Sequence, residues 1–173
     1  LSSLMLIDLF IVGAWFGVEK VVARIEQSSV IHDADRIEVS LNAIKLWQDY
    51  PLVGSGGGSF HTVYPRYRPA TIGAFFDHVH EDYLEIAADT GLVGLGLMGL
   101  MVLFSFVVAL LALKRRRNPL MRGMAFASVM GIISLLIHST VDFNLQIPAN
   151  SATFMVILAL GWIALNLGKV AEV

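Results

Sequence analysis

The chain has 173 residues, of which 56% are hydrophobic and only 15% are charged. Soluble globular domains carry about 25% charged residues, so this composition argues against a water-covered globular protein. The net charge of −2 gives no reason to expect a nucleic-acid partner, and the absence of cysteine excludes disulfides and thiolate chemistry.

Four apolar segments are long enough to span a membrane. The clearest is the run from Leu92 to Leu113, which has no ionisable side chain. A bilayer core about 30 Å thick needs about 20 residues of helix, so this run matches one membrane span. We predict an all-α integral membrane protein with about four transmembrane helices, over residues 1–18, 84–113, 120–141 and 151–168.

The basic residues indicate how these spans are oriented. Five of the twelve Lys and Arg residues lie in or just beyond the connection 114–119, at Lys114, Arg115, Arg116, Arg117 and Arg122. The positive-inside rule places that connection in the cytoplasm, together with the tail 169–173. The long loop 19–83 and the turn 142–150 then share the opposite face, which we expect to be periplasmic.

The long loop contains one predicted amphipathic helix, over residues 35–50. Its apolar residues recur at helical spacing, at Ile37, Leu41, Ile44 and then Trp47 or Gln48. Asp35 and Glu38 form a capping-box pattern, and Pro51 ends the helix. A single apolar stripe with charged flanks suits a helix that lies on the membrane surface or against the other spans.

Glycines mark two further segments. The run Gly54–Ser59 lacks the Gly-Lys-Ser/Thr ending of an ATP-binding loop, and Ser55 has no base or strand-turn-helix elbow to make it a nucleophile. We therefore interpret it as a flexible turn. The second span carries small residues that we interpret as a surface for close helix packing, namely Gly91, Gly94, Gly96 and Gly99.

The densest group of titratable residues is Asp77–Glu85, just before the second span, and it contains His78 and His80. Histidine is suited to moving protons near neutral pH, and a nearby carboxylate can orient its ring. An acid–base site and a solvated loop end are both consistent with this pattern. Metal binding through His-x-His is a third interpretation, although nothing nearby fixes a third protein ligand.

Two other groups are candidates for ligand binding. Arg36, Arg66 and Arg68 suit bidentate contact with phosphate, or ordinary anchoring at a lipid interface. The turn that contains Asp142 and Asn144 is predicted to lie on the same face as the histidines. It either lines the same site or merely caps the third and fourth spans.

Several motifs follow one another in a characteristic order. An Arg opens an amphipathic helix with a Trp, and Pro-Leu-Val-Gly-x-Gly-x-Gly-x-Phe follows. Next come His-Glu-x-Tyr-Leu-Glu with Thr-Gly-Leu-Val-Gly-Leu, and finally His-Ser-x-x-Asp-Phe-x-Leu-x-x-Pro-Ala-Asn. This order resembles the conserved C-terminal region of the O-antigen ligase and O-antigen polymerase family of bacterial inner-membrane glycosyltransferases. The resemblance runs from about Arg36 to Ala159, and it departs at Glu81, where many members have Asn.

This resemblance implies the C-terminal part of a larger polytopic protein of GT-C-like fold, in the inner membrane with its active face periplasmic. The apolar start without a basic n-region also suggests a piece of a longer membrane protein. The implied reaction moves a saccharide from an undecaprenyl-pyrophosphate donor, a membrane lipid, to a hydroxyl of a glycan, lipid A core or, in related members, a protein. No metal or other cofactor is implied.

The resemblance also implies residue roles. His80 is the catalytic base that takes the proton of the acceptor hydroxyl, and Arg36 stabilises the pyrophosphate leaving group. The candidate substrate-binding residues are Arg36, Arg66, Arg68, Glu81, Tyr83, Asp142 and Asn144.

Two alternatives come from other classes of protein: a transporter or flippase segment for a glycolipid, and a non-catalytic membrane subunit. Transporters usually place their binding sites near mid-span. The polar residues of this chain cluster instead at one predicted membrane face, which favours the enzyme.

Overall fold

A computed structural model describes residues 37–68 and 77–167. Within these ranges every regular element is helical, and three helices are long and apolar enough to cross a membrane. The expectation of an all-α membrane protein is confirmed, whereas the predicted first span and Arg36 lie outside the described residues. The chain divides into two compact units, Leu1–Glu38 and Val39–Val173, and every contact discussed below lies within the second.

The described helices are α1 (residues 37–49), α2 (Phe60–Val63), α3 (Asp82–Arg115), α4 (Pro119–His138) and α5 (Pro148–Asn166). Two 3-10 turns accompany them, Tyr64–Arg66 after α2 and Asn144–Gln146 between α4 and α5. Pro119 and Pro148 open α4 and α5, where a missing N–H breaks no helical hydrogen bond. The side chain of Asn118 caps α4 by accepting the N–H of its second residue at 2.9 Å.

Helices α3, α4 and α5 pack against one another as a three-helix bundle. At the end with the basic connection their contact is made by small residues, Ala112, Ala125 and Ala164. A Cβ added at Gly161 of α5 would lie 2.8 Å from the Cβ of Ala109, so glycine permits the close approach of α5 to α3. By contrast, a Cβ added at Gly96 or Gly99 meets no described atom within 4 Å. No described residue packs against these two glycines, so their expected packing role stays a prediction.

Helix α3 is interrupted at Gly91, whose φ of 65° and ψ of −172° belong to a region that is essentially restricted to glycine. The backbone of the glycine-rich turn lies directly against this interruption. A Cβ at Gly91 would lie 2.3 Å from the carbonyl carbon of Leu52, and one at Gly54 would lie 2.2 Å from that of Asp89. Both glycines are thus required by backbone contact. The start of the glycine-rich segment, which the sequence predicted to be a flexible turn, is packed against the backbone of α3.

The turn 51–56 also replaces the hydrogen bonds that the interrupted helix loses. Before the break, the carbonyls of α3 accept from the N–H groups of Ser55 and Gly56, both at 2.9 Å. After the break, the N–H groups of Leu92 and Val93 donate to carbonyls of the same turn at 2.9 and 3.1 Å. These four bonds give partners to two carbonyls before the break and to two N–H groups after it. Buried backbone groups require such partners.

The remaining part of the loop has a hydrophobic core of its own beside the first turns of α3. Its buried members are Val39, Ala43, Leu46, Phe60, Tyr64, Val79 and Ala88. The rings of Phe60 and Tyr64 stack within it, with centroids 4.8 Å apart. Helix α1 contributes Val39, Ala43 and Leu46 to this core. These residues lie on a different face from Leu41 of the predicted apolar stripe, which is 56% exposed.

Gly91→Ala is expected to destabilise the protein strongly. The backbone conformation alone costs a residue with a Cβ about 1–3 kcal/mol, and the added carbon overlaps the backbone of Leu52. The matched control is Gly96→Ala, which lies in the same helix, has open space, and gains helix propensity. Thermal unfolding of the detergent-solubilised protein measures both variants, and equal melting temperatures would contradict the role assigned to Gly91.

Candidate functional site

His78 is held by a buried carboxylate. Its Nδ1 lies 2.7 Å from Oε1 of Glu85, in the first turn of α3. The other carboxylate oxygen of Glu85 accepts the N–H of Val79 at 2.9 Å. Because a hydrogen bond to one ring nitrogen fixes the orientation of the ring, Glu85 sets the direction in which His78 faces.

His80 lies two residues further on, in an unusual backbone conformation. Its φ is 63°, in the left-handed region that residues with a side chain seldom adopt. Phe143, from the connection between α4 and α5, contacts both histidines. Its ring stacks on His78 with centroids 4.9 Å apart and meets the ring of His80 edge to face at the same distance. One phenylalanine therefore fixes the relative position of the two imidazoles.

Asp82 ties the histidine segment to the turn that carries Phe143. Both of its carboxylate oxygens accept the N–H of Leu145, at 3.1 and 3.0 Å, and its own N–H donates to the carbonyl of Ser139 at 3.1 Å. Asp82 is fully buried. The histidine segment and the 139–145 turn are therefore joined by hydrogen bonds, and a substrate site shared between them stays a prediction.

A third buried acid, Asp89, continues the pattern along the same face of α3. Its Oδ2 accepts the N–H of Gly58 at 2.7 Å. Residues three and four apart lie on one side of a helix, so Asp82, Glu85 and Asp89 point the same way. Each of the three carboxylates accepts a hydrogen bond from a backbone N–H in a different segment of the chain.

The two turn residues proposed to bind substrate have partners in the protein. Asp142 accepts the N–H of Phe143 at 2.9 Å, and its Oδ2 lies 3.6 Å from Nε2 of His138. Asn144 is buried and accepts a hydrogen bond from the amide of Asn150 at 2.9 Å. These contacts give both residues a structural role, and their role in binding stays a prediction.

Glu81 and Tyr83 flank Asp82 in the same segment. Burial raises the pKa of Glu81 above its ordinary value, so its carboxyl takes up a proton at a higher pH than an exposed glutamate does. The hydroxyl of Tyr83 donates to the carbonyl of Leu136 in α4 at 2.8 Å. That bond fixes the tyrosine between α3 and α4, and substrate contact by either residue stays a prediction.

Arg66 and Arg68 follow Tyr64, which shares a buried core with Val79, the residue between the two histidines. Arg66 is exposed and Arg68 is partly buried. Tyr67 lies between the two arginines in sequence, and its hydroxyl donates a hydrogen bond of 2.5 Å to the carboxylate of Asp49. This bond is the main reason that the pKa of Tyr67 rises to about 12. The basic run is thus anchored to α1.

The sequence predicted a carboxylate that orients a histidine, but it did not show that this carboxylate is Glu85 and that the histidine is His78. The spacing of Glu85 from Asp82 and Asp89 was a signal, because it puts three acids on one helix face directly after the histidines. Phe143 belongs to a quoted motif, but nothing in that motif indicates contact with residues more than 60 positions earlier. In the described residues, no group of three or more His, Cys, Asp or Glu side chains is arranged to hold a metal ion.

Comparison with known protein families decides the identity of the chain. The family model described as O-antigen ligase matches residues 1–99, which is more than half of the chain. The chain belongs to the O-antigen ligase family. No curated protein matches it.

Membership of the O-antigen ligase family indicates a multi-pass membrane glycosyltransferase of the ligase or polymerase type, acting on glycan and lipid-linked substrates. The range that matches the O-antigen ligase family includes both histidines, Glu85 and the glycine turn, whereas Phe143 lies beyond it. The match also begins earlier than the resemblance read from the motifs, which started at about Arg36.

Glu85→Ala is expected to release the histidine segment. It leaves the buried N–H of Val79 without its acceptor, at a cost of about 1–3 kcal/mol, and it removes the partner of His78. Glu85→Gln is expected to be intermediate because its amide oxygen still accepts one bond. The measurements are hydrogen exchange at the Val79 amide, melting temperature and saccharide transfer.

Asp77→Ala is the matched control for the Glu85 variants, since it removes an exposed acid from the same segment. We expect it to leave all three measurements unchanged. Unaltered exchange at Val79 in Glu85→Ala would contradict the role given to the carboxylate.

Proposed function

We propose that the protein transfers a saccharide from an undecaprenyl-pyrophosphate-linked donor to a hydroxyl of a glycan or lipid A-core acceptor, on the periplasmic face of the inner membrane. The observation that carries this proposal is the pair of histidines fixed on Phe143 at one end of a membrane bundle, in a segment within the O-antigen ligase match. The basic connection between α3 and α4 lies at the other end, which supports a periplasmic site by the positive-inside rule.

In the proposed reaction His80 acts as the general base. It takes the proton of the acceptor hydroxyl as that oxygen attacks the anomeric carbon of the donor sugar. The new bond joins the acceptor oxygen to that carbon, and the bond to the pyrophosphate oxygen breaks. Undecaprenyl pyrophosphate leaves with the electron pair of the broken bond. A positioned base of this kind contributes typically about 10²–10⁴-fold to the rate.

The backbone around His80 supports its assignment as the base. His80 has a left-handed backbone conformation, which costs a residue other than glycine about 1–3 kcal/mol. Such a conformation persists only where the surrounding structure imposes it. Here those surroundings are the bond between Glu85 and Val79 on one side, and the bonds of Asp82 to Leu145 and Ser139 on the other. His78, which is bound to Glu85, then supports Phe143 and the ring of His80 rather than transferring the proton itself.

The leaving pyrophosphate needs positive charge. Guanidinium groups bind phosphate oxygens in pairs, and their charge stabilises negative charge that develops in the transition state. Arg66 and Arg68, which follow Tyr64 of the core that also contains Val79, are two candidates for such groups, and Arg36 is the third by resemblance. Glu81, Tyr83, Asp142 and Asn144 complete the proposed substrate-binding set.

A glycolipid transporter remains the main rival. Its site would be expected near the middle of the spans. In the described part of the chain the buried acids lie in the first turns of α3 instead, and the histidines precede that helix. Transfer of sugar by the purified full-length protein in detergent, without any ion gradient, separates the two functions.

Replacing His80 is expected to abolish transfer without preventing folding. His80→Asn is the most informative change, because asparagine tolerates the left-handed backbone but does not act as a base at neutral pH. We expect a loss of about 10²-fold or more in kcat, and a smaller loss for His78→Ala. The assay is run with and without a chelator, since the proposal gives no role to a metal ion.

Membrane insertion and melting temperature serve as controls for the His80 variant. Saccharide transfer at the wild-type rate by His80→Asn would exclude His80 as the general base. A larger loss for His78→Ala than for His80→Asn would transfer that role to the histidine bound to Glu85. Loss of activity on chelation, restored by added metal, would revive the metal-binding interpretation.

Arg36→Lys is expected to lose nearly as much activity as Arg36→Ala. A lysine ammonium supplies the same charge but not the two parallel donors that a guanidinium presents to a phosphate. Steady-state kinetics with varied donor concentration measure the effect. Wild-type kinetics for the lysine variant would exclude bidentate binding of the pyrophosphate by this residue.

A further inference from the structure

A group of cations lies at the end of the bundle opposite the histidines. Helix α3 ends at Arg115 and α4 begins at Pro119, so a connection of residues 116–118 joins the two spans. This connection and the adjoining helical turns carry the cations that we call the basic patch, namely Lys114, Arg115, Arg116, Arg117 and Arg122. All of them are exposed except Arg116, which is partly buried.

Arg116 has a partner within the bundle. Its guanidinium donates a hydrogen bond to the carbonyl of Leu167, which directly follows the last residue of α5. The last carbonyls of a helix carry partial negative charge and therefore bind cations. This bond attaches the connection between α3 and α4 to the end of α5, so the patch is fixed relative to all three described spans.

The other cations of the patch have no carboxylate partner among the described residues. No Asp or Glu occurs between Asp89 and Asp142, and none occurs in α5. The ion pairs of the described residues, both formed by histidines, lie at the opposite end of the bundle. Like charges this close together repel one another. The described bundle supplies no counter-ion, and an anion from outside would relieve this repulsion.

Exposed leucines accompany these charges. Leu120 in the first turn of α4 is 67% exposed, and Leu167 at the end of α5 is 57% exposed. Because the helices that carry them are apolar enough to cross a membrane, these leucines meet acyl chains where the arginines reach the headgroups. A surface that combines cations with exposed leucines matches an amphiphile with a negative head better than an inorganic anion.

The size of the patch favours a lipid over an acidic protein. Stable protein interfaces use about 20–30 residues on each side. The basic patch lies within residues 114–122, and its connection is too short to form a larger surface. A single phosphodiester, by contrast, is bound by one or two guanidinium groups, because each presents two parallel donors.

We propose that the basic patch binds the phosphate of an anionic phospholipid. Arg115 and Arg117 are its main ligands, because both are exposed and flank the anchored Arg116. The inference goes beyond the proposed function and does not depend on it. The apolar run Leu92–Leu113 covers about 33 Å of helix, close to a hydrocarbon core of about 30 Å. A phosphate held at the patch therefore places the break at Gly91 at the opposite edge of that core.

Lipid titration of the full-length protein in a neutral detergent tests the site. The probes are phosphatidylglycerol and phosphatidylcholine with the same acyl chains, and native mass spectrometry measures how much of each is bound. We expect phosphatidylglycerol to bind preferentially, and Arg115→Gln/Arg117→Gln to lower its affinity by about 30-fold, since each cation near an anionic lipid contributes about fivefold. Lys45→Gln is the matched control, because it removes an exposed cation from α1, and it should leave the affinity unchanged.

The variant Arg115→Lys/Arg117→Lys separates lipid binding from membrane orientation. It keeps the positive charge that sets the direction of the spans but lacks the paired donors of a guanidinium. We expect a lower affinity for phosphatidylglycerol with an unchanged orientation, which protease accessibility measures. Wild-type affinity in the glutamine double variant, or equal binding of the two lipids by the unaltered protein, would overturn the proposal.

Labelling of the unaltered full-length protein tests the site without relying on a variant. A photoreactive phosphatidylglycerol is expected to label peptides from residues 113–122, and inorganic phosphate should not suppress the labelling. Suppression by inorganic phosphate would show a site for free phosphate. Labelling confined to other segments, or displacement of the lipid by a co-purified acidic protein, would show a different occupant. Each of these results would overturn the proposal, and none of them depends on saccharide transfer.

Discussion

The interruption of α3 at Gly91 is the constraint on which the rest of the described structure depends. A helix broken near the edge of a membrane exposes carbonyl and N–H groups whose burial without partners costs several kcal/mol in hydrocarbon. The turn 51–56 supplies those partners, and the contact is so close that only glycine fits at Gly54 and Gly91. The loop is therefore attached to the bundle through its backbone, and the position of α1 and α2 follows from that attachment.

The helix segment before the interruption organises the site. Asp82, Glu85 and Asp89 lie on one face, where the N-terminal end of the helix dipole also favours negative charge. Each accepts a hydrogen bond from a backbone N–H. The donor lies in the 139–145 turn for Asp82, in the histidine segment for Glu85 and in the glycine-rich turn for Asp89. Three loops that are distant in sequence thus meet at one helix. The buried carboxylates act on the structure as acceptors of backbone hydrogen bonds, and Glu85 also contacts His78.

The same helix joins the polar site to the membrane interior. Tyr83 belongs to the site segment, and its hydroxyl bond to the carbonyl of Leu136 joins α3 to α4 at that level. In the proposed mechanism, proton transfer occurs at this end of the bundle, directly before the long apolar part of α3.

The sequence by itself determined the membrane class, the three spans that lie within the described residues, the helix in the long loop and the histidine cluster. These features depend on local runs and periodicity, which a single chain displays directly. The tertiary structure alone decided that His78 pairs with Glu85, that Phe143 contacts both histidines, and that α1 buries Val39 and Leu46 rather than Leu41. Spacing cannot reveal such partners, because they are set by which segments approach in space. The glycines show the same limit: composition suggested flexibility and helix packing, whereas the contact between two backbones required glycine at Gly54 and Gly91.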